Sequence, residues 1–228
     1  MQKKFTTILL ESVFIFLAVF LSFLAEDYRE EANLRSLEKE SLEGIYQNMK
    51  SDSTEIKTTY NILSGIHLSG NLLLNMIDSG VLKKDSAEIL FERLLIGYQS
   101  FSQNSHYEAL KSSGNITEIK NTDLRNKLTN YYESDNKWIQ LISEIYGGGH
   151  SKFVDDIKSF VRIRDSKSEY SFLEVKIIDE ERMKNDPVWK NSLGETMGLL
   201  KVRKSMLKER KQDIQFLRQM IREELSNK

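Results

Sequence analysis

The chain lacks cysteine and contains only one proline among its 228 residues. Without cysteine it can form no disulfide, no thiolate metal site and no thiol nucleophile. One proline is roughly a tenth of ordinary usage, which favours long helices over turn-dense all-β folds. Neither sign of charge predominates, because 33 Lys and Arg are balanced by 34 Asp and Glu, for a net charge of −1. The chain as a whole therefore has no electrostatic attraction to nucleic acid.

One long hydrophobic run stands at the start of the chain. Phe5–Ala25 comprises 21 residues with a single charged side chain, and a helix of that length measures about 31 Å, close to the ~30 Å hydrocarbon core of a bilayer. A cleaved signal peptide has a shorter apolar core and needs a small residue where this chain has Phe23. The run therefore predicts an uncleaved signal anchor. The predicted organisation is a tail over 1–4, a transmembrane anchor over 5–25 and an α-helical extramembrane domain over 26–228.

The orientation of this single span follows from the basic residues beside it. Lys3 and Lys4 precede the span, while Arg29, Arg35 and Lys39 lie beyond its other end. Acidic residues contribute little to the positive-inside rule, so the bias is small. We expect the N-terminus inside the cell and the main domain outside the inner membrane; a cytoplasmic domain is the alternative.

Glu11 is the one ionisable residue inside the predicted span. Charge at the centre of a bilayer costs about 2.5–3.5 kcal/mol, so such a residue is by default a functional candidate. It can extend to the nearer interface, helped by neighbouring hydroxyl residues, or it can contact another helix or a cation of a membrane partner. Both interpretations stay open.

Beyond the anchor, apolar residues recur at helical spacing. A stripe from Leu34 to Met49 predicts an amphipathic helix that continues out of the membrane, and a second helix is expected between Ser53 and Gly80. A polar loop is expected over 99–105. No second apolar run reaches ~20 residues, so the chain is expected to cross the membrane once. The later helices are expected over 85–95, 105–113, 121–146, around 153–161 and over 187–225.

Local signals mark the ends of these helices. Asp85 with Glu88, and Ser105 with Glu108, have the spacing of capping boxes. Glycines are expected to end helices at 114 and at 147–149. Asp186 before Pro187 predicts an N-cap followed by proline at the first helical position. Residues 164–186 are the least regular stretch, with β-branched and aromatic character over 170–178 that is too short for a sheet by itself. The fold class is therefore mostly α, a helical bundle.

The search for chemistry yields few candidates. His67, His106 and His150 are far apart and have no ligand-like neighbours, and no nucleotide-binding or nucleophile motif is present. We expect no catalytic residue, no metal site and no cofactor. One basic cluster lies in the last helix and could contact anionic lipid or nucleic acid, although a solvated helix face is the simpler interpretation. Its members are Lys201, Arg203, Lys204, Lys208, Arg210 and Lys211.

Two stretches, 8–45 and 106–134, resemble a family of short single-pass bacterial membrane proteins of unknown function. The first holds the Glu-containing hydrophobic helix followed by an acidic-aromatic-Arg-Glu step, here with Tyr28 where the family more often has Trp. The second holds the Tyr-Glu-x-Leu-Lys-Ser-Ser-Gly-Asn block at 107–115. The resemblance implies a membrane-anchored helical protein of the bacterial inner membrane, and it brings no catalytic residue with it.

The second block is expected to form a capped helix that ends at a glycine, followed by a second helix that packs back against the first. Tyr107, Ser112, Ser113 and Asn115 lie at this polar turn. Their hydroxyl and amide groups can satisfy exposed backbone groups, which is a structural role. The alternative is a small pocket for a ligand or peptide.

Together these observations predict a membrane-anchored helical interaction or scaffolding protein. Its N-terminus is expected in the cytoplasm and its main domain in the periplasm, where helices bind a protein partner or a second copy; no nucleic-acid partner is expected. The alternative function is an extracytoplasmic ligand-sensing module that signals through a membrane partner. An enzyme with an unrecognised site is the third possibility.

Overall fold

The computed structural model describes residues 2–96, 104–166 and 173–226, with side chains from residue 13 onward. Besides α-helices and two strands, the described residues include a short 3₁₀ turn, Asn115–Glu118, and a π-helical segment, Asn130–Asp135. The mostly α prediction and the predicted bundle are confirmed. The elements are α1 (Gln2–Asp78), α2 (Lys84–Leu94), α3 (Ser105–Ser112), α4 (Thr122–Thr129), α5 (Asn136–Ile157), β1 (Val161–Asp165), β2 (Leu173–Ile177), α6 (Glu180–Asn185) and α7 (Pro187–Ser226).

Helices α1 and α7 pack along a long antiparallel seam. Contacts between Tyr46 and Arg218 and between Tyr60 and Lys204 show that residue numbers fall along α7 as they rise along α1. In both helices the buried positions alternate in steps of four and three, the spacing of a coiled-coil seam. The positions that follow this spacing are 38, 42, 45, 49, 52, 56, 59, 63, 66, 70 and 73 on α1, and 189, 193, 196, 200, 203, 207, 210, 214, 217 and 221 on α7; positions 48, 69, 192 and 197 are buried beside them.

Helix α1 is continuous, so the predicted separate helix after Ser53 is wrong. Gly70 lies inside it, and a Cβ there would stand 2.3 Å from the sulfur of Met197. The absence of a side chain thus lets α7 approach closely. The turn at Gly80, where φ is +70°, follows the end of α1 as expected.

Helix α5 runs through the three glycines at 147–149, so the predicted stop there is wrong. It packs against α7, with Arg210 near its start and Arg203 over the ring of Tyr146. A Cβ on Gly149 would lie 3.2 Å from Leu199 Cδ1, which explains a small residue at that point of the contact. Tertiary packing therefore overrides the weak helix propensity of glycine.

The irregular stretch forms a hairpin in which β1 pairs antiparallel with β2, Val161 opposite Ile177. The buried carboxylate of Glu88 on α2 accepts the Ile177 N–H at 3.0 Å and binds Lys176 Nζ at 2.9 Å. Since Glu88 serves the hairpin, the predicted capping box with Asp85 is wrong; Lys83 stands at the N-cap without a side-chain hydrogen bond.

The other helix ends are partly as expected. Asp186 Oδ1 accepts the Val188 N–H, which confirms the predicted N-cap of α7, and Asn121 Oδ1 accepts the Leu124 N–H as the N-cap of α4. The predicted capping box at Ser105 is wrong, because Asn104 is the N-cap and the Ser105 hydroxyl accepts a hydrogen bond from Asn48. Gly114, at φ +78°, follows α3 as expected.

Among the helices whose side chains are described, none is both long and apolar enough to cross a membrane. Residues 5–12 of the predicted anchor, Glu11 included, lie outside the residues whose side chains are described. Residues 99–103 of the predicted loop and 170–172 of the predicted β-like run lie outside the described ranges.

Candidate functional site

A cleft of about 500 Å³ opens between α1, α5 and α7. Its volume is in the range of small-molecule sites, which often lie between the helices of bundles. The described lining residues are Asp52, Glu55, Ile56, Asn104, Tyr132, Asn136, Lys137, Ile139, Gln140, Ser143, Glu144, Leu207 and Arg210.

Arg210 is the central charged group of this cleft. It occupies an inward position of the α7 seam and is only 3% exposed. Its Nη1 donates to the Tyr131 carbonyl at 2.9 Å, its Nη2 donates to Asn136 Oδ1, and its guanidinium lies 3.4 Å from the centre of the Tyr131 ring. Hydrogen bonds and stacking therefore hold the charge in one orientation.

The π-helical segment places the groups that Arg210 contacts. Tyr131 belongs to this segment, and Asn136 follows it directly. A π turn widens a helix and shifts the residues after it around the axis, and such segments are frequent at functional sites. Here the shift brings a backbone carbonyl and a side-chain amide to one guanidinium.

Three tyrosines form the wall beside the cleft. The ring of Tyr132 stacks on Tyr107 at 4.4 Å and meets the ring of Tyr131 edge-on at 4.8 Å. The Tyr131 hydroxyl donates to Asp52 Oδ2 at 3.5 Å. Burial raises the pKa of Tyr131 and of Tyr132 well above the usual tyrosine range. These phenols therefore stay protonated and can act as hydrogen-bond donors.

The carboxylate of Glu133, in the π segment, binds two side chains of α3. The Tyr107 hydroxyl donates to Glu133 Oε1 at 2.7 Å, and Lys111 Nζ lies 3.0 Å from the same oxygen. These contacts, that from Tyr107 first, lower the pKa of Glu133, while burial raises the pKa of Tyr107 to about 12. The three tyrosines are thereby held at both ends, Tyr131 by Asp52 and Tyr107 by Glu133.

The chemistry available in the cleft is that of hydrogen bonding and charge. Its described lining carries the carboxylates of Asp52, Glu55 and Glu144, the cations of Lys137 and Arg210, and several amides. Such a surface suits a small polar ligand that bears charges of both signs. Within the described ranges, no three His, Asp or Glu side chains are placed to hold a metal ion.

The structure separates the residues predicted at the polar turn. Tyr107 is fully buried against Tyr132, whereas the hydroxyls of Ser112 and Ser113 donate to the carbonyls of Ala109 and Leu110 in their own helix. Asn115 begins the 3₁₀ turn. None of the four predicted residues (Tyr107, Ser112, Ser113 and Asn115) lines the cleft.

The predicted basic surface needs correction. Arg203 and Arg210 are 2% and 3% exposed, because the heptad spacing of α7 turns both into the bundle. Lys201, Lys208 and Lys211 are exposed and Lys204 is half-buried, so four lysines remain of the predicted surface cluster.

The three histidines lie at separate places in the bundle. His150 Nε2 is 2.8 Å from the Leu94 carbonyl, and His106 lies against Gly44. His67 has a pKa lowered by burial and by the nearby charges of Lys204 and Lys201.

Sequence reasoning missed the cleft, although part of its signal was present. Arginine at 203 and 210 interrupts the apolar heptad of α7, and Asp52 interrupts that of α1. Polar residues at seam positions indicate a buried polar layer. The π segment has no comparable signature, so the partners of Arg210 could not be read from the sequence.

Comparisons of the chain with protein-family models, curated proteins and solved structures find no match.

Proposed function

We propose that the chain is a membrane-anchored helical interaction protein. The observation that carries the proposal is the N-terminal part of α1, where the large apolar side chains between 13 and 24 are all 44–67% exposed. A helix that is apolar all round is favoured inside a membrane or a large core, and a patch of this extent marks a membrane or protein contact. The seam with α7 begins only at residue 38, so this segment lies apart from the bundle core.

In this proposal, residues 5–25 form a single span of the bacterial inner membrane. The N-terminus is cytoplasmic, the bundle is periplasmic, and the chain belongs to the single-pass family that its sequence resembles. The anchor confines the bundle to one membrane face, which raises its effective concentration towards partners in that membrane. The partner is another protein or a second copy of the chain.

The anchor is tested by placing charge in it. The double substitution Phe16→Lys and Phe20→Lys should move the protein from the membrane fraction to the supernatant, because each lysine in the span costs about 2.5–3.5 kcal/mol. The matched control is Tyr28→Lys, at an exposed position after the span, which should stay in the membrane. Wild-type protein in the supernatant would refute the proposal.

The side of the membrane is tested with a dual reporter at the C-terminus, one half active only in the cytoplasm and the other only outside it. Activity outside is expected. Cytoplasmic activity would reverse the proposed topology and direct the search to cytoplasmic partners.

The cleft favours a second candidate function, a ligand-sensing module that signals through a membrane partner. Its volume of about 500 Å³, the fixed guanidinium of Arg210 and the mixed charge of its lining support this alternative. Thermal shifts of the purified chain with amino acids, polyamines and dicarboxylates would test it, because a ligand that binds only the folded state raises its stability. Gln140→Leu, at the cleft, should remove a genuine shift; no shift with the whole panel would leave interaction as the function.

A further inference from the structure

An exposed apolar stripe runs along the outer face of α5. Trp138, Leu141 and Ile145 are 56%, 43% and 45% exposed, and Gly148 follows at the next step. Their spacing of three, four and three residues is that of a coiled-coil seam. Helix α5 therefore carries two seams, one buried against α7 and one facing outward.

Among the described residues, nothing packs against Gly148, the glycine at the end of the stripe, in a way that requires glycine. A Cβ at Gly148 would meet no atom within 4 Å, unlike one at Gly149. Glycine in a helix interior costs about 1 kcal/mol relative to alanine, so this position weakens α5 without a gain inside the described chain. A bare helix surface beside exposed apolar residues allows a second helix to approach closely.

The size of the stripe indicates which partner it fits. Only three large side chains, each about half exposed, make up its apolar surface. A stable complex between free proteins buries about 800 Å² per partner. The stripe also spans less than two heptads, whereas a self-sufficient coiled coil needs about three or more. It suffices only for a partner held nearby at high effective concentration.

We propose that the stripe Trp138–Gly148 is the contact between two copies of this chain in one membrane; this rests on the anchor proposed above. A second copy is held at the same height and at high local concentration by its own anchor. Because α1 and α5 are each antiparallel to α7, α5 runs in the same direction as α1. Two anchored copies related by a two-fold axis along the membrane normal therefore meet with their α5 helices parallel and in register. Leu141 of one copy then lies beside Leu141 of the second copy.

Cross-linking in native membranes tests this geometry, since the chain has no cysteine of its own. Leu141→Cys and Ile145→Cys should each give dimers with a short bis-maleimide, at least five-fold more than the control Gln140→Cys. Gln140 is also exposed but lines the cleft on another side of α5. Adding Leu141→Glu to Ile145→Cys should abolish the dimer while circular dichroism shows an unchanged fold.

Each other outcome overturns one proposal. Membrane-bound protein with no more cross-linking at 141 and 145 than at 140 refutes the α5 contact and leaves the anchor intact. Cross-linking of Trp138→Cys to Gly148→Cys between differently tagged copies, without dimers at Leu141→Cys, refutes the parallel arrangement. Protein found in the supernatant refutes the anchor itself.

Discussion

Arg210 carries a full charge at a position of α7 that faces the interior. A buried guanidinium is tolerated only when its N–H groups are satisfied, because its desolvation costs several kcal/mol. The Tyr131 carbonyl, the Asn136 amide oxygen and the Tyr131 ring supply that compensation. The same hydrogen bonds stabilise the π segment, because Arg210 supplies donors to its Tyr131 carbonyl and to Asn136 directly after it.

Arg210→Met should lower the free energy of unfolding by about 3 kcal/mol, because two buried acceptors lose their donor. Urea denaturation of the detergent-solubilised chain, followed by circular dichroism, measures the change. Lys211→Met, at the exposed neighbouring position, should stay within about 0.5 kcal/mol of wild type. Equal effects of the two substitutions would show that the Arg210 contacts contribute little.

The tyrosines predict how stability changes at alkaline pH. Burial raises the pKa of Tyr107 to about 12, whereas an unfolded tyrosine titrates near 10. The unfolded chain loses this proton first, so the contribution of Tyr107 is complete below pH ~10 and is lost as pH rises towards ~12. Tyr107→Phe should therefore flatten the decline of the unfolding free energy over this range, measured by denaturation at stepwise pH.

Tyr46 provides a control of opposite sign. Hydrogen bonds from Arg222 and Arg218 lower its pKa, so its ionisation favours the folded state as pH rises. Tyr46→Phe should remove that contribution and steepen the alkaline decline. The same slope in both variants would contradict the assignment of these effects to the two phenols.

At the scale of elements, the three glycines of α5 show how packing overrides local propensity. Gly149 faces Leu199 across the contact with α7, whereas Gly147 has open space where a Cβ would stand. The same residue type therefore serves different roles two positions apart, and the helix persists because α7 supports it.

Gly147→Ala should raise the free energy of unfolding by about 1 kcal/mol, the difference in helix propensity. Gly149→Ala should gain less or lose stability, because its Cβ would lie 3.2 Å from Leu199 Cδ1. Thermal unfolding of both variants makes the comparison. A larger gain at 149 than at 147 would mean that Leu199 moves aside without cost.

Elements with strong periodicity could be predicted from the sequence. The start of α7 at Pro187, its N-cap at Asp186 and the mostly helical fold depend on local patterns and could be predicted. Features that depend on residues distant in the sequence could not be predicted. Glu88, for example, accepts a hydrogen bond from Ile177 of β2 instead of capping its own helix. The hairpin was missed because one strand has no recognisable partner until the chain returns.

The candidate site was even less accessible to sequence reasoning. Tyr107 was predicted at a polar turn with Ser112, Ser113 and Asn115, and Arg210 was assigned to a basic surface. The convergence of Arg210 and the tyrosines depends on a π turn and on the register between α1 and α7, which single-sequence periodicity does not specify.

At the scale of the whole molecule, α1 is one helix of 77 residues with two kinds of surroundings. Its side chains at 26–33 are all exposed, and its seam with α7 extends from 38 to 73. Within the described part of the chain, the first stretch makes only local contacts, such as the 2.8 Å pair between Arg29 and Glu26. The second is held by the bundle.

Proline substitutions distinguish these two parts. Glu31→Pro should bend α1 but leave the unfolding temperature of the bundle within about 2 °C, because no tertiary packing depends on that turn. Lys57→Pro, also at an exposed side chain, should destabilise the bundle by about 3 kcal/mol or more. Thermal unfolding by circular dichroism measures both, and a loss of the bundle in Glu31→Pro would contradict this division of α1.

In the proposed membrane arrangement, the continuity of α1 sets the height of the bundle above the bilayer. With residues 5–25 in the membrane, the 27 residues from Ala25 to Asp52 raise the cleft by about 40 Å, and Tyr60, level with the outer stripe of α5, stands about 50 Å high. A neighbour in the same membrane must be at least that tall to touch either surface. In that arrangement, shorter neighbours would contact only the charged part of α1 between the membrane and the seam, and height would select the proteins that the bundle can reach.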